Sequence, residues 1–330
     1  MRVLRYIGIV FLLILGSVYW AYNTFLASEL PDPPASLTGT LFSGEMQHGG
    51  KARTYNYYVP SQLAENPALV LAFHGSQGDG ARARISYAYE LDRLADQHGF
   101  VVVYPDGYEK HWNDCRAAGD YSANRLNIDD VGFTRAMITF FKERYGIDTR
   151  RIAATGISNG GHMAFRLAYE APGLAAAHIA FAAAVPAGDN LDCNPSNKPV
   201  NMAIVNGTAD PLVPPAGGVQ TIFGVSERGT VLSMVDSIGY WARIGGYGID
   251  QPVIEKLADT TSEDESFIVL LGWSSPNKPL IHLYKVENGG HTIPTSQMSF
   301  PKILGNTNAD IEGAALVWSF LNAAVTHMDQ

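Results

Sequence analysis

The sequence predicts an α/β fold, a mostly parallel central sheet with helices on both faces. Three observations carry that reading. Short runs at 68–73, 100–104, 179–184 and 200–205 are almost wholly apolar, as strands covered on both faces must be. Segments with helical apolar spacing separate many of these runs. Finally, His74, Ser158, Asp210 and His291 each stand just after a predicted strand, and ligands of such sheets bind beyond the strands' carboxyl ends.

Taken in order, 53–59 reads as a strand ending at Pro60, and 68–73 as a buried strand running into His74-Gly75-Ser76. One helix is expected next, with Ile85, Ala88, Leu91, Leu94 and Ala95 on a single face. The strand 100–104 closes at Pro105-Asp106-Gly107. A long loop through Tyr108, Trp112 and Cys115 then leads to Asp129-Asp130, which suits the cap of a helix carrying Phe133, Met137, Phe140 and Phe141. Residues 151–165 combine a buried strand, a Gly156-x-Ser158-x-Gly160 turn and the start of a helix. A Cβ two residues either side of Ser158 would collide across so tight a turn, which accounts for both glycines. Strands at 179–184 and 200–205 follow, then a helix over 231–244 and strands at 267–271 and 281–286. A last helix from about Asn308 turns Ile311, Ala315, Trp318 and Leu321 inward.

Composition narrows the function classes. With 330 residues and 46% hydrophobic content, the chain suits one large domain rather than a disordered segment. Its net charge of −9 and lack of a Lys/Arg cluster argue against a nucleic-acid partner, because phosphate contacts need a basic face. Neither Cys115 nor Cys193 has metal-ligand neighbours at useful spacing, so no metal is expected.

Arg2 and Arg5 precede a segment, 6–28, without a charged residue. That length suffices to cross a bilayer, with Tyr19, Trp20 and Tyr22 as an interfacial belt. Cleavage after Ala27 or Ser28 would put Phe25 or Leu26 at the −3 position, where a small residue is required. An uncleaved anchor therefore fits better than a removed signal peptide, and either exports the rest. The expected organisation is a signal peptide or membrane anchor over 1–28, a proline-rich linker over 29–36 and a catalytic domain over 37–330. Contact with a membrane is expected only through the first segment. In an oxidising compartment the two cysteines, Cys115 and Cys193, are expected to pair.

The chemistry follows from the loops. A serine hydroxyl is a weak nucleophile until a base takes its proton. Ser158 is the candidate nucleophile, His291 the base and Asp210 the group that orients it; their chain order Ser, Asp, His is the one this strand–turn–helix arrangement uses. Among the nine histidines, His291 is late, loop-borne and preceded by two glycines. The developing oxyanion needs fixed donors, for which the backbone amides of Asn159 and Ser76 are the candidates. His74, Tyr108 and Trp112 are candidate substrate contacts near the same edge, with ordinary loop packing the competing reading for Trp112 and Tyr108.

Several stretches together resemble the secreted polyhydroxybutyrate depolymerase and feruloyl esterase group of α/β-hydrolases. They are Phe73-His-Gly-Ser76, Tyr104-Pro-Asp-Gly107, Trp112-Asn113, Asp129-Asp-Val-Gly-Phe133, Thr155-Gly-Ile-Ser-Asn-Gly-Gly161, Asn206-Gly-Thr-Ala-Asp-Pro-Leu-Val-Pro214 and Gly289-Gly-His291. The resemblance implies an α/β-hydrolase sheet and cofactor-free hydrolysis of carboxylic esters by Ser158, Asp210 and His291. The substrates it implies are feruloyl or acetyl esters of polysaccharide, or short hydroxyalkanoate esters. Two positions depart from the group's pattern: Ser76 stands where a cysteine is frequent, and Thr292-Ile293-Pro294 replaces a Trp-Pro after the histidine. Three other functions share parts of this pattern. A prolyl-oligopeptidase-type peptidase would carry a large extra β domain, an acyltransferase would differ in its acceptor, and a binding module would have lost the chemistry.

Overall fold

The computed structural model describes residues 22–28 and 30–328, together with 16, 17 and 19. Most of the expected signal or anchor segment, 1–28, thus lies outside the described residues. No helix among the described residues is long and apolar enough to cross a membrane.

Twelve strands are described: β1 (Thr40–His48), β2 (Lys51–Val59), β3 (Leu69–Phe73), β4 (Val101–Pro105), β5 (Ile152–Ile157), β6 (Ala177–Phe181), β7 (Met202–Gly207), β8 (Gly218–Ile222), β9 (Ser226–Val231), β10 (Val253–Lys256), β11 (Phe267–Trp273) and β12 (Ile281–Glu287). Ten of them form one sheet in the order β1-β2-β4-β3-β5-β6-β7-β12-β11-β10, while β8 and β9 make a separate hairpin. Six neighbouring strands, from β4 through β3, β5, β6 and β7 to β12, run parallel; the pairs at either edge are antiparallel. The mostly parallel sheet is as expected, and β3 to β7 are fully buried because helices cover both faces.

Alternation along β3 divides the core. Val70 and Ala72 face one layer, with α1 (Gly80–Ser86), α2 (Glu90–His98) and α6 (Gly313–Met328). Leu69, Leu71 and Phe73 face the other, where α3 (Asp130–Tyr145) and α4 (Asn159–Glu170) pack. The latter layer continues past α4 to α5 (Met234–Ile244), through Phe165, Tyr169 and Trp241. Asp129 caps α3 as expected, its carboxylate accepting from the Gly132 amide at 2.8 Å.

The single helix expected through Ile85 to Ala95 is two helices. Between α1 and α2, Ala88 and Tyr89 adopt φ of 49° and 62°, which breaks the helix without a glycine or proline to announce it. Burial of Tyr87 accompanies the break: its hydroxyl meets Thr155 Oγ1 at 2.8 Å, and its ring sets edge-on to Phe181. Apolar spacing continues across the bend because both helices pack on one layer, so periodicity alone does not mark it. The strands β1, β8, β9 and β10 were also not expected; their exposed or mixed faces lack an apolar run.

Cys115 and Cys193 are joined by a disulfide, Cα atoms 5.0 Å apart, as the cysteine count led us to expect. It fastens the long loop after β4 to the segment after β6, which in turn holds the hairpin: Asn190 Nδ2 donates to the carbonyls of Arg228 and Thr230.

Candidate active site

Ser158 sits between β5 and α4 with φ 57° and ψ −119°, a left-handed geometry rare for a residue with a side chain. The turn is this tight because neighbouring backbone occupies the space on both sides. A Cβ at Gly156 would approach the Gly160 carbonyl carbon to 2.5 Å, and one at Gly160 would run into the Phe73 and His74 carbonyl oxygens. The Ser158 amide donates to the Phe181 carbonyl at 2.9 Å, tying the turn to β6.

Asp210 follows β7 and His291 follows β12, strands that pair in parallel. His291 Nδ1 stands 2.8 Å from Asp210 Oδ2, and both side chains are nearly enclosed. The other carboxylate oxygen, Oδ1, accepts from the Leu212 and Val213 amides at 2.7 and 2.8 Å. Both oxygens are thus engaged, which sets the carboxylate plane and leaves one direction for the imidazole. Gly207 cannot carry a side chain here, since its Cβ would meet the Gly289 and Gly290 backbone. That close approach brings the two loops together.

Ser158 and His291 line one cavity of about 530 Å³. Its other walls come from Gly75, Ser76, Gln77 and Gly78 after β3, from Arg82 and Ser86 of α1, from His111, and from Leu212, Ile222, Ser226 and Arg228. Phe300 and Leu304 close the remaining side. The backbone amides of Ser76 and Asn159 have no hydrogen-bond partner among the described residues, so both donors are free.

Asn159 is held from its side chain. Its Oδ1 accepts from the Trp112 amide at 2.8 Å, and its Nδ2 donates to Asp114 Oδ2 at 2.5 Å. Asp114 also receives Arg116 Nη2 at 2.5 Å, and both residues are buried. Burial alone would raise the Asp114 carboxyl, but the Arg116 guanidinium outweighs it and holds the group below its ordinary range. Nothing in the sequence pattern singled out Asp114 or Arg116. An acid and a base two residues apart on a loop look like any solvated pair until tertiary structure encloses them.

The candidate substrate contacts fare differently. Trp112 is fully enclosed, its indole Nε1 donating to the His74 carbonyl at 3.0 Å. His74 is equally buried; its Nε2 accepts from the Gly107 amide at 2.9 Å, and burial pushes its pKa down to about 4. Neither side chain lines the cavity, and neither does that of Tyr108, which lies beneath the Lys51 ammonium instead. The structure uses Trp112 and His74 to support the loop after β3 from behind. His111, Arg82, Arg228, Phe300 and Leu304 line the cavity without having been expected there.

The fold is that of an α/β-hydrolase. A dienelactone hydrolase family model matches residues 80–228. The chain is 26% identical over 301 residues to a putative esterase of Nocardia uniformis, covering 88% of this chain and 84% of that one. It is also 26% identical over 301 residues to a probable acetylxylan esterase A of Neosartorya fischeri, covering 84% and 78%. A bifunctional acetylxylan esterase/xylanase of Neocallimastix patriciarum is 30% identical over 164 residues, but those are half of this chain and only 22% of that protein. Among solved structures, an acetyl xylan esterase from Aspergillus awamori superposes with a TM-score of 0.55 at 21% identity, over 78% of this chain and 96% of that one. The chain thus has the α/β-hydrolase fold and is similar in sequence to carboxylic ester hydrolases.

Proposed function

We propose that this protein is an exported serine esterase in which Ser158, His291 and Asp210 act as a catalytic triad. The observation that carries the reading is the 2.8 Å contact between His291 and Asp210 at a cavity that Ser158 also lines. With Nδ1–H held by the carboxylate, His291 presents Nε2 as a base. Ser158 Oγ attacks the ester carbonyl while His291 takes its proton. The carbonyl oxygen becomes an oxyanion held by the Ser76 and Asn159 amides. His291 then protonates the departing alcohol, leaving an acyl-enzyme on Ser158. Water, deprotonated by His291, attacks that acyl group and releases the acid. No group beyond the chain and water is required.

The named relatives point to acetyl esters of xylan as one substrate class, and the sequence resemblance adds feruloyl esters and short hydroxyalkanoate esters. Residues 1–28 serve in this reading as a signal or anchor, and 37–330 as one catalytic domain. The disulfide supports an oxidising compartment.

The test is labelling with a serine-reactive fluorophosphonate, run beside hydrolysis of acetylated xylan, methyl ferulate and hydroxybutyrate oligomers. Labelling and hydrolysis by the wild type, both lost in Ser158→Ala, are expected. Labelling that persists in that variant would remove Ser158 from the mechanism.

A further inference from the structure

A second cavity, of about 440 Å³, lies beside the catalytic one. Arg82, Ser86, Phe300 and Leu304 line both, so the two share a wall. What sets the second cavity apart is the segment ahead of β1, which supplies Leu26 and Leu30 to its lining. Ile85 of α1 and Met298 line it as well.

That segment is held at both ends. The turn Tyr22–Leu26 packs on the turn Lys302–Leu304. Further on, Leu37 packs against the core layer of α1 and α2, and the Thr38 amide donates to Asp96 Oδ2 at 2.7 Å. The turn at 302–304 also meets the proposed base, because the His291 amide donates to the Leu304 carbonyl at 2.7 Å. One short turn therefore touches both the catalytic loop and the N-terminal segment. The lining between them is mainly hydrocarbon: Leu26 and Leu30 are half-exposed, and only Ser28, Ser86 and Arg82 bring polar side chains. Aliphatic carbon gains from covering such a surface in proportion to the apolar area removed from water. A sugar ring would leave most of its hydroxyls without partners there.

We propose that this second cavity, completed by Leu26 and Leu30, is a subsite for an aliphatic chain of the ester cleaved at Ser158. The proposal rests on the esterase reading above and narrows its substrate class to esters with a medium-length hydrocarbon chain. The chain can belong to the acyl part, passing Phe300 and Leu304 while the carbonyl is at Ser158. It can instead belong to the alcohol part and depart with the leaving group.

Two series on the full chain separate these sources, each ester assayed below its micellar concentration. p-Nitrophenyl esters from acetate to dodecanoate lengthen the acyl side, and alkyl acetates from ethyl to dodecyl lengthen the alcohol side. In at least one series, kcat/KM should rise about threefold per methylene until the cavity is full. The ratio of the eight-carbon to the two-carbon ester should drop about tenfold when Leu26→Ser and Leu30→Ser are combined. Met298→Trp acts from a separate element should the N-terminal segment detach; it fills the cavity and should shorten the longest chain accepted. Two flat or falling series would overturn the subsite, as would a rise that both variants leave intact.

A binding measurement keeps the outcome apart from catalysis. In Ser158→Ala, calorimetry should show methyl octanoate or octyl acetate binding more tightly than methyl butanoate or ethyl acetate, with the preference lost on adding Met298→Trp. Equal binding of long and short ligands would overturn the subsite even if the wild type cleaves both. Preferential binding without turnover would instead overturn the esterase reading and leave the subsite standing.

Discussion

Asp210 gives one carboxylate oxygen to His291 Nδ1 and the other to the amides of Leu212 and Val213. An acid tied at both oxygens cannot turn, so the imidazole it contacts is fixed in direction and in tautomer. Amidation tests this. Asp210→Asn keeps the shape but presents Nδ1 with an amide that no longer stabilises a charged imidazole. Its kcat should fall by on the order of 10⁴-fold, while the melting temperature changes little by comparison. Steady-state kinetics on any turned-over ester, with circular dichroism as the control, would decide it; near-normal kcat would remove Asp210 from the mechanism.

The turn at Ser158 is sterically closed. Gly160→Ala introduces a methyl group into the Phe73 and His74 carbonyls, and the backbone of α4 must shift to accept it. We expect a stability loss of about 1–3 kcal/mol and slower fluorophosphonate labelling of Ser158. Thermal melts and labelling rates would check both, and a variant with unchanged labelling would show that the nucleophile does not depend on this close packing.

Reduction of the Cys115–Cys193 bond should act on stability and on the cavity. Freeing a separation of 78 residues removes about 4–5 kcal/mol in the chain-entropy account. Because the bonded segment also holds Arg228 and Thr230 through Asn190, the hairpin wall should loosen first. Hydrogen exchange with and without reductant would show protection lost at 218–231 before the central strands. Uniform loss would argue against that order.

Acid should destabilise the fold through buried neutral histidines. Burial lowers the pKa of His74 and His178 to about 4, and burial with the Arg116 charge lowers that of His162 to about 3. An unfolded histidine titrates near 6.5, so between pH 6.5 and about 4 the unfolded chain binds protons that the folded chain refuses. The stability these groups contribute is complete above pH 6.5 and is lost as pH falls through that window. Melting temperature should therefore drop steeply from pH 6.5 to 4. His178→Met, which removes one such proton from the core of β6, should flatten the slope; an unchanged slope would exclude His178 as a contributor.

Much of the site was legible because the residues involved obey local rules. Gly156-x-Ser158-x-Gly160 announces a closed turn, and Asp210 and His291 each follow a strand, as loop-borne groups at one sheet edge must. The errors are long-range. Trp112 and His74 look like surface contacts in sequence, yet each packs against the other's loop and both are sealed from the cavity.

What the sequence by itself determined is the layered α/β architecture, the serine turn and the order of the groups that can serve it. Hydrophobic period and steric necessity are properties of neighbouring residues, and they survive without knowledge of the fold. Tertiary structure alone decided which polar groups are buried and which are left unpaired. Asp114 became a buried brace for Asn159 because Arg116 and the loop enclosed it. Arg228 became a cation on the cavity wall because a hairpin docked on Tyr121 without placing a carboxylate on that wall. Charge state and reach depend on partners far apart in the chain, and only folding brings those partners together.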